Sequence, residues 1–376
     1  MTDIASFNTE RISTSKLDSH NYVSTENMLK NFQGIMDAIS VPDGSNVVKY
    51  HIGDILISNI RPYLRKVWLS DREGGCSADI LVLSSNTTVC SNEFLHHILT
   101  NDSFIDYVMS GAKGVKMPRG DKKQIAKYTA AIPSINEQNK ISTFLTLTDQ
   151  RIATQIVAIE KMESLIKGLV DVLFENRKWM KVKVGDFMEF YPTNSLSWEQ
   201  LQYESGAIRN LHYGIIHDTG CTELSSDTLP FISSCFVPNK FTLCMDGDVA
   251  LADASEDTTD VGKTVELKGV GDYPVVCGLH TIHGRDIKGL TVPGFKGFAM
   301  NSKYFHAQLQ RLAQGSKVFS INTDNVKSCY LYIPSLNEQK QLVSLFQKIE
   351  DKLCIERQLL DLYRQQKQYL LKNMFV

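Results

Sequence analysis

At 376 residues the chain exceeds one ordinary domain, so two or more are expected. It is 43% hydrophobic and 22% charged, the balance of a folded soluble protein; no apolar run nears the roughly 20 residues of a membrane span, and no signal-peptide pattern opens it, so a cytoplasmic protein without membrane contact is expected. A net charge of −2 argues mildly against a nucleic-acid binder, unless the charge is segregated.

In chain order, "VVKYHIGDILISNI" places a Gly-Asp turn before a β-rich run, and "SADILVLS" reads as a further strand. "SNEFLHHILTNDSFIDYVMSG" reads as one helix ending near Gly111. A long helix enters at "IPSINEQ", with Pro133 at its entrance and Ser134 or Asn136 as its cap. Its apolar residues recur every seven: Leu145, Ile152, Ile159, Ile166, Leu173. Then "FTLCMDGDVALAD" and "YPVVCGLHTI" read as strands, and "IPSLNEQ" opens a second long helix with Phe346, Leu353, Leu360, Lys367 and Met374 on its seam. Met162 and Leu169 form another row, matched by Tyr363 and Leu370. A seven-residue seam over four repeats predicts a coiled coil, about 60 Å long for 40 residues.

The chain therefore says the same thing twice. Ile132, Pro133, Ser134, Asn136, Glu137 and Gln138 match Ile333, Pro334, Ser335, Asn337, Glu338 and Gln339 at an offset of 201. The offset also pairs Phe94 with Phe295, Phe104 with Phe305, Gly114 with Gly315 and Lys116 with Lys317; further upstream "GDILIS" at Gly53 matches "GDVALA" at Gly247, an offset of 194. A unit this large is a duplicated domain, not a solenoid. The predicted class is α+β: two pseudo-symmetric globular domains, 1–131 and 180–332, separated by two long helices, 132–179 and 333–376. Connectivity requires those helices to run antiparallel where they pair. "WMKVKVGDFMEF" (Trp179–Phe190) opens the second domain without an evident counterpart in the first.

Catalytic chemistry finds no foothold. There is no P-loop, no GxGxxG, no GxSxG elbow and no adenine-methyltransferase DPPY-like motif. The eight cysteines contain no CxxC pair and read as reduced thiols, several of them buried; His280 and His283 lack a nearby third ligand in sequence, so no metal site is expected. "ADASEDTTDVGK" does not fit EF-hand spacing and reads as a polar loop.

Positive charge is instead concentrated. "GAKGVKMPRGDKKQIAK" carries Lys113, Lys116, Arg119, Lys122, Lys123 and Lys127 against Asp121, with glycines whose backbone amides can meet phosphates. Arg61, Arg65 and Lys66 cluster around Tyr63 and Trp68. In the second copy, Arg209, Asn210, His212 and Tyr213 are side chains able to read base edges or stack, and Lys317 stands at the position of the first loop. These residues predict a double-stranded DNA interface.

The doubled "IPSINEQ…FL…TDQRI" and "IPSLNEQ…LF…IEDKL" resemble the spacer regions of the specificity (S) subunit of type I restriction–modification enzymes. "ISNIRPYLRK…DREGGCSADILVL", "GDVALADASEDTTDVGK" and "VVCGLHTI" are similar to phrases of that family's target-recognition domains. The resemblance implies a non-catalytic, sequence-specific DNA-binding subunit whose globular domains each read half of a bipartite target. It implies helices that set the spacing and dock methyltransferase subunits, with Glu137, Gln138, Glu338 and Gln339 of the repeated phrase as contact candidates. It also implies S-adenosylmethionine on the methyltransferase rather than here, and a restriction subunit joined through the complex. The competing class is a protein-interaction adaptor with two ligand-binding domains on a coiled-coil bar.

Overall fold

The computed structural model describes residues 1–374 except Val115, Asn176, Thr258, Thr259, Asp272 and Ser316. Among the described residues no helix is long and apolar enough to cross a membrane. The chain forms two compact units, Met1–Ile156 with Gln358–Val376, and Val157–Arg357.

The first unit holds two sheets. One has the strand order Ala5–Phe7, Ile80–Ser85, Ile55–Ser58, Val67–Leu69, all antiparallel. The other runs Arg11–Ser13, Asn46–Tyr50, Gly74–Cys76, Tyr22–Val23, the last pair parallel. Helices Asn92–Leu99 and Asp102–Ser110 bury Phe94, Leu95, Ile98, Phe104 and Val108 against the first sheet. The expected single helix is thus two. Asn101 is the reason: its side chain accepts from Ser103 N and caps the second helix while sending Nδ2 to Leu371 O, 2.9 Å away.

The second unit repeats the plan. Its main sheet runs Met188–Tyr191, Thr281–Asp286, Val249–Ala252, Thr264–Lys268, with Glu223–Ser225 added at the edge. A four-stranded sheet carries Leu201–Gln202, Phe231–Ile232, Arg209–Leu211 and Val275–Cys277. Strands Ile80–Ser85 and Thr281–Asp286 are offset by 201 throughout, and Ile55–Ser58 and Val249–Ala252 by 194. Ser302 caps its second helix, Lys303–Leu312, as Asn101 does in the first copy. One expectation is corrected: the edge position of Met188–Tyr191 is taken in the first unit by Ala5–Phe7, so "MTDIASF" is the counterpart of "VGDFMEF".

The long helices span Ile135–Phe174 and Leu336–Met374, uninterrupted because neither contains proline. Within the first unit, Asp149 meets Lys367 at 2.5 Å and Arg151 lies 4.5 Å over the Tyr363 ring. Within the second, Glu163 meets Arg357 at 2.6 Å and Phe174 stacks near Phe346. In both units the partner's number falls as the first helix advances, so the paired segments are antiparallel. Lys367, which interrupts the apolar seam, sits there because Asp149 neutralises it.

The repeated phrase has a structural meaning. Gln138 is fully buried: its Oε1 accepts from Ser91 N at 2.9 Å, and its Nε2 donates to Val89 O and Pro133 O, both at 2.8 Å. Gln339, equally buried, accepts from Val292 N at 2.9 Å and donates to Leu290 O and Pro334 O at 2.9 and 3.0 Å. All three contacts repeat at the offset of 201. The phrase recurs because this glutamine locks each long helix to the loop of its own unit. Gln138 and Gln339 are therefore corrected from partner contacts to internal clasps, whereas Glu137 and Glu338 remain exposed.

Candidate nucleic-acid interface

The basic loop of the first unit is a short hairpin. Lys113 and Arg119 exchange two backbone hydrogen bonds of 2.9 Å, and Gly114, at φ 98°, supplies the left-handed residue the bend needs. Arg61 N donates to Pro118 O at 2.7 Å, so Arg61 is brought beside the hairpin. Lys113, Lys116, Met117, Arg119 and Arg61 are all exposed, with Met117 at 49%. Arg119 is held by Asp79 at 2.9 Å, and Lys113 by Asp121 at 3.3 Å. The amide of Lys123 and the Lys113 ammonium keep the Asp121 carboxyl below its ordinary range. Lys122 and Lys123 extend the basic face on the helical turn Lys122–Ile125, Lys122 lying over the Phe7 ring at 4.4 Å.

The second unit builds the same hairpin from different residues. Gln314 and Ser320 exchange backbone bonds of 3.0 and 2.8 Å, and Gly315 takes φ 132°. Lys317 and Val318, the counterparts of Lys116 and Met117, are both exposed. Phe319–Ser320 pairs with Ala254–Ser255, and Ile321 N donates to Asp253 O as Gly120 N donates to Asn59 O in the first copy. Asp253 holds His280 Nδ1 at 3.0 Å, and the Tyr213 ring meets His280 edge-on at 5.3 Å. Tyr213, half-buried, is thus linked through His280 and Asp253 to the strand that follows the Lys317 hairpin.

Other expected contacts are engaged within the protein. Arg65 pairs with Asp102 at 2.9 Å. Lys66 donates to Thr25 O at 2.6 Å, and burial followed by the Lys30 charge lowers its pKa. Arg209 is corrected from base reader to framework: one guanidinium nitrogen donates to Ser226, Asp227 and Leu229 carbonyls at 3.0, 2.5 and 2.9 Å, and the group stacks on Phe231 at 4.4 Å. Asn210 and His212, 0% and 2% exposed, cannot touch a base in this conformation. Asn210 accepts from Asn194, and His212 caps the helix Tyr213–Asp218, its pKa lowered by burial and by His280.

The exposed apolar tip residues Met117 and Val318 were missed. Each follows a lysine at the same place in its hairpin, a signal visible only when the two copies are aligned. An apolar side chain beside a phosphate-binding cation is suited to a thymine methyl or a groove wall.

Two units on one plan, each exposing a cation-bearing hairpin, define a duplicated α+β protein with the attributes of a DNA-recognition subunit. Residues 4–161 match the family described as type I restriction modification DNA specificity domain. Over 303 residues the chain is 23% identical to the type I restriction enzyme MjaVIII specificity subunit of Methanocaldococcus jannaschii, covering 76% of this chain and 70% of that protein. Over 93 residues it is 28% identical to the type I restriction enzyme EcoDI specificity subunit of Escherichia coli, covering 25% and 20%. Its fold is similar, at a TM-score of 0.60, to a chain of a solved type I R-M system, with 17% identity over 99% of this chain and 95% of that one. It is similar at the same TM-score to the type I restriction–modification S subunit from M. genitalium, with 14% identity over 100% and 94%. Residues 4–161 are thus similar to a type I restriction–modification DNA specificity domain, and the chain is similar in sequence and fold to type I specificity subunits, bearing out the resemblance of the doubled phrase.

Proposed function

We propose that this chain selects the DNA sequence for a type I restriction–modification complex, each unit binding one half of a bipartite target through its hairpin face. The carrying observation is the pair of hairpins at 113–119 and 314–320, alike in backbone bonding, each presenting a lysine followed by an exposed apolar residue. Lysine supplies sequence-independent phosphate attraction, and the variable neighbours supply base preference. Arg61, Arg119, Lys122 and Lys123 act in the first half, and Tyr213 in the second.

The long helices set the separation of the half-sites and dock methyltransferase subunits. Phe144 and Leu345, equivalent by the offset of 201, are 46% and 47% exposed, and Leu147 beside Phe144 is 57% exposed. Apolar side chains left in water on a helix face favour a covering partner. The chain itself is non-catalytic; S-adenosylmethionine belongs to the methyltransferase subunits, through which a restriction subunit joins. The complex works in the cytoplasm.

The test is to express the chain with and without its methyltransferase and map methylated adenines genome-wide. A bipartite methylated motif appearing only with both chains supports the proposal. A stable complex with no new motif and no salt-dependent DNA binding favours the adaptor reading.

A further inference from the structure

We propose that Cys244, Cys277 and His283 bind one zinc ion that ties together the two large sheets of the second unit. Cys277 ends the strand Val275–Cys277 of the four-stranded sheet, and His283 lies inside Thr281–Asp286 of the five-stranded sheet. Cys244 precedes the turn into Val249–Ala252, its amide donating to Val275 O at 2.8 Å. The three ligand atoms lie within 4.8 Å of one another, and all three residues are buried.

The geometry and chemistry of the donors suit the ion. The two sulfurs are 3.6 Å apart. Tetrahedral zinc with bonds of about 2.3 Å to sulfur sets two thiolates about 3.8 Å apart. His283 is oriented as a ligand: Nε2 faces Asp248 Oδ2 at 2.7 Å, while Nδ1 is buried without a hydrogen-bond partner. A histidine ligand that donates its other ring N–H to a carboxylate has its tautomer and ring angle fixed. Asp248 is fixed in turn by Arg285, whose Nε reaches Oδ1 at 2.8 Å and whose terminal nitrogen reaches Oδ2 at 2.7 Å. Two thiolates and one imidazole are soft-to-borderline donors that select zinc over magnesium or calcium. Three protein ligands leave one tetrahedral position open, the ligand count of zinc enzymes rather than of four-ligand structural sites.

The duplication supplies an internal control. The counterparts of the three ligands are Tyr50, Cys76 and Val82, and all three belong to one buried apolar cluster of the first unit. The alignment is secured by the backbone, because Tyr50 pairs with Gly74 as Cys244 bonds to Val275. Where the first unit closes this position with a tyrosine ring and a valine, the second places a thiol and an imidazole. Cys244 lies 33 residues before Cys277, so only folding brings its thiol to the Cys277 and His283 side chains.

The experiment is to purify the full chain under reducing conditions, without chelators or metal-affinity resin, and measure bound metal by elemental mass spectrometry. About one equivalent of zinc is expected. Replacement by cobalt(II) should give the thiolate-to-metal absorption of two cysteines, lost in Cys277→Ser and retained in Cys76→Ser. A metal-free chain that takes up no zinc on dialysis overturns the site. So does a cobalt spectrum lacking thiolate absorption, or a Cys244–Cys277 disulfide in the reduced preparation. The metal content and cobalt spectrum of the unmodified chain decide the matter even if Cys277→Ser fails to fold.

Discussion

Beneath the helix Asn92–Leu99, the first unit closes its core with Leu69 and Leu95; at the same two places the second unit puts Glu266 and Lys296. The latter pair is almost wholly buried, with Lys296 Nζ 2.9 Å from Glu266 Oε1. Thr291 Oγ1 accepts a further hydrogen bond from the Lys296 ammonium at 3.1 Å, and the Gly297 amide donates to Glu266 Oε2 at 2.9 Å. Burial raises the Glu266 pKa, against the opposing pull of Lys296. By contrast, the glutamine clasps, the Gly-Asp turns and the hairpins repeat bond for bond. In the turns, His51 N donates to Asp54 at 2.8 Å and Met245 N to Asp248 at 2.9 Å. The duplicated fold is thus held by a skeleton of side chain–backbone bonds, and the chemistry of the space between is free to change.

The sharpest break in this comparison is at the buried ion pair. Lys296→Met strands the Glu266 carboxylate and should cost about 3–5 kcal/mol in chemical unfolding. Glu266→Leu with Lys296→Leu, the first unit's own solution, should recover most of that loss. A double variant as unstable as the single would mean that the two cores are not interchangeable.

Acid should next separate the units. His97 is 3% exposed, and burial pushes its pKa down to about 4, with Asp149 pulling upward and Lys367 downward. Its counterpart is Phe298, packed 4.8 Å from Phe346. Above pH 6.5 His97 is neutral in both folded and unfolded chains; below it the unfolded chain binds a proton that the folded unit refuses until about pH 4. Stability is therefore lost as pH falls through that window, approaching about 3 kcal/mol for a shift of this size. Urea unfolding at pH 7 and pH 5 should show the first unit weakening more, and His97→Phe should reduce the difference. An unchanged difference in the variant would remove His97 as its source.

The clasps should then behave as equals. Gln138→Ala and Gln339→Ala each remove three hydrogen bonds and leave a part-buried amide of Ser91 or Val292 without its glutamine partner, a cost of about 1–3 kcal/mol. If the doubled phrase is one joint used twice, the two losses should agree within about 0.5 kcal/mol. A large effect in one copy and none in the other would refute that equivalence.

Much of this was legible because a duplicated sequence carries its own alignment. Positions obeying the offset of 201 marked the clasps, the seams and the hairpins before their bonding was visible. What stayed hidden was direction. "RNLHY" offers base-reading side chains by type, yet Arg209 sits in a strand whose neighbouring loop presents the carbonyls of Ser226, Asp227 and Leu229, and the guanidinium turns inward to meet them. The helix break at Asn101 was equally hidden: apolar residues resume at Phe104 and Ile105 after Thr-Asn-Asp-Ser, and only the cap interaction separates the two helices. The trio Cys244, Cys277 and His283 depends on two sheets meeting, which no local spacing encodes.

The smallest effects belong to the hairpin tips, and they test whether the two units bind DNA by the same means. Each lost phosphate contact should lower the slope of log affinity against log salt by about 0.9. Lys116→Ala and Lys317→Ala should each give roughly that change, in the assembled complex, on all sequences alike. Met117→Ser and Val318→Ser should leave the salt slope untouched and shift base preference by about 1–3 kcal/mol, each in a different half of the target. The separation matters because a merely structural hairpin would change neither quantity selectively. Lysine variants with unaltered slopes would move the phosphate contacts off these tips. Tip variants that altered the same half-site would show that the second hairpin keeps the shape of the first without its task.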